Sequence, residues 1–150
     1  MTRKGFTLLE VLVVVMIAAV VTMFAVPAYK KAQDKNRFMA ATGVLVDLAN
    51  GAKMYRESYP DRKISSARVT GQSGENAYVS QMRREKFFSS FPMENRTYMG
   101  FAFYVSTEKK AICSGCNNGS PSAACMVATG SNSYKVCAWV DESGMLFESN

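Results

Sequence analysis

Residues 11–26 (VLVVVMIAAVVTMFAV) carry no charge and one polar side chain, Thr22. Extended to Phe6 and Ala28, the stretch holds 23 residues, about 35 Å as a helix at 1.5 Å per residue. That is enough to cross a hydrocarbon core of about 30 Å. Its valines and isoleucine favour strand in water. In lipid a lone segment must satisfy its own backbone, and helix wins. One residue is out of place. Glu10 sits at the edge of the apolar run, and a charge at a bilayer's centre costs about 2.5–3.5 kcal/mol even on the lenient insertion scale. A chain needing only an anchor would carry leucine there, so the carboxylate calls for a partner.

Composition narrows what the remainder can do. The 150 residues contain no histidine, which removes the usual general base, the triads built on it and most zinc chemistry. No nucleophile–base pair and no phosphate loop is visible, so the chain does not read as an enzyme, and no cofactor is expected. The net charge of +6 reads as a solvated surface more readily than as a nucleic-acid or lipid patch. Four cysteines, Cys113, Cys116, Cys125 and Cys137, crowd the last quarter. An even set behind an export-type start points to disulfides in an oxidising compartment. Zinc competes less well, because only Cys113 and Cys116 form a Cys-x-x-Cys pair. Four cysteines allow three connectivities. The loop 117–121 suits a short Cys116–Cys125 staple, which favours Cys113–Cys137 as the second bridge, although Cys125 and Cys137 also flank a hairpin.

An ordinary signal peptide is the plain alternative for the N-terminus, with Arg3 and Lys4 as its basic region and Val26-Pro27-Ala28 as a cleavage site. Glu10 and the length of the run count against it. Lys30, Lys31, Lys35 and Arg37 outnumber Arg3 and Lys4, so a simple positive-inside count would leave the C-terminus in the cytoplasm. The cysteines argue the opposite, and long domains translocate largely regardless of charge.

Past Pro27 helical periodicity persists. Phe38, Ala41, Leu45, Leu48, Ala49, Ala52, Tyr55 and Tyr59 form one apolar stripe, opposite Asn36, Asp47, Asn50 and Glu57. Gly43 and Gly51 weaken the helix, Pro60 ends it, and Pro27 should kink or loosen it. The expected architecture is α+β. A helix covers 6–28 and continues over 29–59, an irregular connection fills 60–97 with a short helix around 78–88, and an antiparallel sheet of three or four strands occupies 98–150. Strands are expected at 99–105, 124–129, 134–140 and 145–147, with turns at 130–133 and 141–144. The stripe is the natural cover for the sheet's inner face.

The start of the chain, Arg3-Lys4-Gly5-Phe6-Thr7-Leu8-Leu9-Glu10-Val11, resembles a type IV pilin at every position of that family's signature: a short basic leader ending in glycine, then phenylalanine, Thr-Leu, a variable residue, glutamate and a hydrophobic helix. Pro27 corresponds to the proline that breaks the family's helix. The likeness is specific over about the first 30 residues and architectural beyond them. It implies the pilin fold, with a leader at 1–5, a filament-core helix at 6–28 and a globular domain at 29–150. It also implies cleavage between Gly5 and Phe6 by a prepilin peptidase and methylation of the new Phe6 amine. Before assembly the chain would cross the inner membrane once, its C-terminal domain outside. An assembly platform and its ATPase would then draw it into a helical homopolymer on the cell surface, serving adhesion, twitching motility or DNA uptake. DNA or a host surface is what such a fibre would touch.

The resemblance supplies Glu10 with its partner. The Phe6 amine lies one helical turn away in the same chain, and in the fibre the pairing passes to the amine of a neighbouring subunit and sets the axial step. Two alternatives stand beside the pilin: a pseudopilin of type II secretion, and a membrane-anchored binding module using the basic groups at 30–37 or 109–110. Those groups lack the interleaved aromatics of a single-strand platform.

Overall fold

A computed structural model describes residues 7–71, 74–94, 96–108, 113, 116, 121–130, 135 and 137–149. The chain forms two compact units, Met1–Gln33 and Asp34–Asn150. One helix, α1 (Leu8–Ser58), supplies all that is described of the first beyond Thr7 and opens the second.

In the first unit every described side chain is exposed. The helix here rests on its own hydrogen bonds. Thr22 turns its hydroxyl back to donate to the carbonyls of Ala18 and Ala19, at 2.9 and 3.0 Å, so its one polar group is satisfied within the helix. Pro27 lies inside α1, which is helical on both sides of it. Pro27 has no N–H to donate to the Met23 carbonyl, and α1 continues through that position.

In the second unit the stripe read from sequence is the core face of α1. Phe38, Ala41, Leu45, Leu48, Ala49, Ala52 and Tyr55 are all buried. They share one cluster with the inner face of a five-stranded sheet in which every neighbouring pair is antiparallel, β1 (Ala67–Val69), β2 (Phe101–Val105), β3 (Ser122–Ala128), β4 (Cys137–Asp141) and β5 (Leu146–Ser149), in that spatial order. Period-two alternation sorts the residues. Phe101, Phe103 and Val105 of β2, Ala124 and Met126 of β3, and Ala138 and Val140 of β4 turn inward. Phe38 meets Phe101 edge-on, ring centres 5.8 Å apart. Each large side chain in this layer contributes about 1.5–3 kcal/mol by leaving water.

The stretch 60–97, expected to be a partly irregular connection with a short helix, also contributes a strand to the sheet. Ala67 and Val69 pair with Val105 and Phe103 and make β1 the first strand of the sheet. A three-residue strand with one inward residue at each end is too short to show alternation. Helix α2 (Ala77–Arg84) follows, capped by Asn76, whose side-chain oxygen accepts the Tyr78 N–H at 2.9 Å. Glu75 holds the junction together. Its carboxylate accepts from the backbone of Thr70 (2.7 Å) and Gly71 (3.0 Å) and from Arg83 (2.7 Å), and its side chain is 3% exposed. Asp47, assigned from sequence to the solvent face, accepts the Ser89 N–H at 2.7 Å. Gly51 is buried, and a Cβ there would come within 2.5 Å of the Phe87 carbonyl oxygen. The glycine that looked like a weakness in the helix is therefore what admits the chain leaving α2.

Candidate functional site

Two regions carry the sequence's functional residues, one in each unit. At the head of α1, Thr7 precedes the first helical residue. Its hydroxyl accepts the Glu10 N–H at 3.3 Å and its carbonyl accepts the same N–H at 3.1 Å. Thr7 thus caps the helix, and Thr7-Leu8-Leu9-Glu10 is a Thr-x-x-Glu sequence of the kind that closes a helix start. That signal is legible in the sequence as Thr7 three residues before Glu10. Glu10 lies in the first turn, where the positive end of the helix dipole favours a carboxylate. It is exposed, as are Leu8, Leu9, Val11 and Leu12 around it. Gly5 and Phe6, the expected cleavage and methylation residues, lie outside the described residues. Beyond Glu10 the rod presents Val13, Val14, Val15, Met16, Ile17, Val20 and Val21 to its surroundings, each between 44% and 62% exposed. Among the described residues α1 is the one helix long and apolar enough to cross a membrane.

The second region is the outer face of the sheet. Tyr104, Cys125 and Trp139 lie opposite one another across β2, β3 and β4, and Phe147 of β5 stacks on Trp139 at 5.5 Å. All four cysteines gather here, packed against Tyr104, Val127 and Trp139. The bridges are Cys113–Cys125 and Cys116–Cys137, not the favoured Cys113–Cys137 and Cys116–Cys125. Register excludes the third connectivity, Cys125–Cys137, and strand order accounts for the difference. Cys125 stands opposite Trp139 and Cys137 opposite Val127, so the two are diagonal on one face. Diagonal neighbours sit about 7–8 Å apart, too far for a bridge between them. Cys113 and Cys116 are held one turn apart by the Cys116 N–H donating to the Cys113 carbonyl at 2.9 Å. The chain leaves β2 and meets β3 before β4, so the first cysteine takes Cys125 and the second takes Cys137. With all four thiols in bridges, the zinc alternative falls.

The tight connection between β4 and β5 is pinned at both ends. Asp141 accepts from the Ser143 hydroxyl at 2.7 Å and from the Met145 N–H at 2.8 Å. The Ser143 hydrogen bond, with backbone N–H groups behind it, holds the Asp141 carboxyl below its usual range against a smaller effect of burial. Glu142 pairs with Arg56 in the last turn of α1 at 2.8 Å. Just past the end of α2, Glu85 accepts from Gln81 (2.6 Å) and Tyr59 (2.9 Å), and these bonds lower its carboxyl. The bond to Glu85 raises the Tyr59 phenol in turn.

The family model for the prokaryotic N-terminal methylation motif matches residues 1–26. The chain carries the type IV pilin and pseudopilin prepilin signature. The matched segment ends one residue before Pro27 and includes Gly5, Phe6, the Thr7 cap and Glu10. The motif implies processing by a prepilin peptidase and assembly into a filament. No curated protein and no solved structure matches the chain.

Proposed function

We propose that this protein is a structural subunit of a type IV pilus, cut after Gly5, methylated on Phe6 and polymerised through α1 into a surface fibre. The methylation motif at residues 1–26 carries the reading. The fold supports it: an apolar rod whose side chains are all exposed, continuous in sequence with a sheet domain closed by two disulfides. Exposed side chains over a full helix circumference need lipid or other helices around them, and a filament supplies the second after the membrane has supplied the first. Each large apolar side chain so covered contributes about 1.5–3 kcal/mol. The Glu10–Phe6 amine pair, worth on the order of 4 kcal/mol at an effective dielectric near 20 before desolvation, sets register more than affinity, because desolvation removes much of the gain. In this reading the chain crosses the inner membrane once before assembly, with the disulfide-bonded domain outside. The two bridges favour a shear-resistant surface fibre over a secretion pseudopilus.

Mass spectrometry of the protein from its source cell tests the first step. The mature chain is expected to begin at methylated Phe6, and a start at Ala28 or Tyr29 would return it to the class of ordinary secreted proteins. Overproducing it with the assembly machinery and imaging cells tests the second. Long surface fibres are expected, whereas loss of protein secretion on deletion, without fibres, would make it a pseudopilin.

A further inference from the structure

The apolar rod has a sharp end. After Glu10 the next charge is Lys30, so residues 11–29 form 19 uncharged positions that span about 28 Å as helix. That matches the hydrocarbon thickness of a bilayer, about 30 Å. A helix seated to bury this stretch places Glu10 at one interface and Tyr29, Lys30 and Lys31 at the other. All three are exposed, Tyr29 at 71%. Being consecutive, they point about 100° apart around the helix. They therefore spread over about 200° of the rod's circumference and are not confined to one narrow face. Among the described residues no ion pair engages Lys30 or Lys31, and between Glu10 and Asp47 the only acid, Asp34, is buried.

We propose that Tyr29, Lys30 and Lys31 form a collar that binds anionic phospholipid headgroups, the two ammonium groups on lipid phosphates and the tyrosine ring at headgroup depth. Tyrosine is enriched at that depth because its ring is apolar and its hydroxyl wet. Lysine reaches phosphate by laying its four-carbon stem along the apolar surface. Cations about 100° apart suit lipids, which approach the rod from different sides, better than a protein partner, which approaches from one. The collar accounts for two basic residues at the end of the span where the positive-inside trend does not call for them. It rests on the reading that α1 spans a membrane before assembly.

The full-length chain reconstituted into vesicles of phosphatidylcholine with 30 mol% phosphatidylglycerol, as the composition of the experiment, supplies the test. Trace spin-labelled phosphatidylglycerol and phosphatidylcholine report which lipid is held at the protein. The expected preference for the anionic lipid is about five-fold per lysine at low salt, declining at high salt. In the double variant Lys30→Gln/Lys31→Gln most of that preference should vanish, while Lys30→Arg/Lys31→Arg keeps it and Lys63→Gln, an exposed lysine of the second unit, leaves it unchanged. An undiminished preference in the double glutamine variant overturns the collar while leaving the membrane span intact. Failure of the wild-type chain to float with vesicles at high salt overturns the span, and the collar with it.

Discussion

Single residues here do work that their chemistry alone would not predict. Glu10 is the plainest case, because it has two roles to separate. As a first-turn carboxylate beside the Thr7 cap it could simply secure the helix start. As the counter-charge to a Phe6 amine it would set the subunit step. Thr7→Ala removes the cap, about 1 kcal/mol, and keeps the charge. Glu10→Leu removes the charge and leaves an amine to enter an apolar core unpaired, at about 3–5 kcal/mol for each subunit. Shearing and immunoblot are expected to show few or no fibres in Glu10→Leu with normal mature protein in the membrane, and only a mild loss in Thr7→Ala. Equal defects would reduce Glu10 to a helix cap. The glycines of α1 form a second contrast. Gly43→Ala meets nothing within 4 Å and should stabilise by up to about 1 kcal/mol through helix propensity. Gly51→Ala brings the same propensity into collision with the Phe87 carbonyl and should destabilise by about 1–3 kcal/mol. Urea unfolding followed by the single tryptophan, Trp139, reads both.

At the scale of elements, the sheet is an antiparallel run that each inward alternation binds to α1, and the disulfides clamp its other face. The bridges close loops of 12 and 21 residues' separation and join the segment after β2 to β3 and β4. Each should contribute about 3 kcal/mol by restricting the unfolded chain. Replacing Cys113 and Cys125 together by alanine should lower the unfolding midpoint and leave Cys116–Cys137 intact, as should the reciprocal pair. Non-reducing peptide mapping should recover Cys113 with Cys125. Recovery of Cys113 with Cys137 would refute the strand-order argument, and recovery of Cys125 with Cys137 the register argument. Glu75 plays the comparable part for β1 and α2, gathering two backbone donors and Arg83 on one carboxylate.

For the whole molecule, three titrating groups with shifted ranges contribute to how stability depends on pH. Glu85 and Asp141 are held below their usual carboxyl range. Their contribution is complete above the unfolded value near 4 and is lost as pH falls through the folded values. Tyr59 is raised, so its contribution is complete below the unfolded value near 10 and is lost as pH rises through the folded one. Urea midpoints should be level between about pH 5 and 9 and fall on both sides. Tyr59→Phe should lower the plateau and shallow the alkaline limb, because the phenol that donates to Glu85 is gone. An alkaline limb as steep in Tyr59→Phe as in the parent chain would place the transition elsewhere.

What the sequence settled by itself is what local chemistry enforces. An uncharged run of valines, alanines and methionines has to be helical wherever its backbone lacks water, and a stripe at three- and four-residue spacing has to find a sheet. Both follow from periodicity, and the strands at 101–105 and 137–141 were legible for the same reason. So was the turn at 141–144, from its Asp, Ser and Gly. The prepilin signature was legible because its residues are contiguous. What the tertiary structure decided are matters of which distant groups meet. β1 exists because Ala67 and Val69 found β2, and three residues alone specify nothing. Gly51 became necessary only when the chain beyond α2 lay across it. The disulfide pairing followed from a register that sets Cys125 and Cys137 on a diagonal, and from a strand order in which β3 comes before β4. Spacing along a chain counts residues, whereas bonding depends on distance in space, and only the folded sheet converts one into the other.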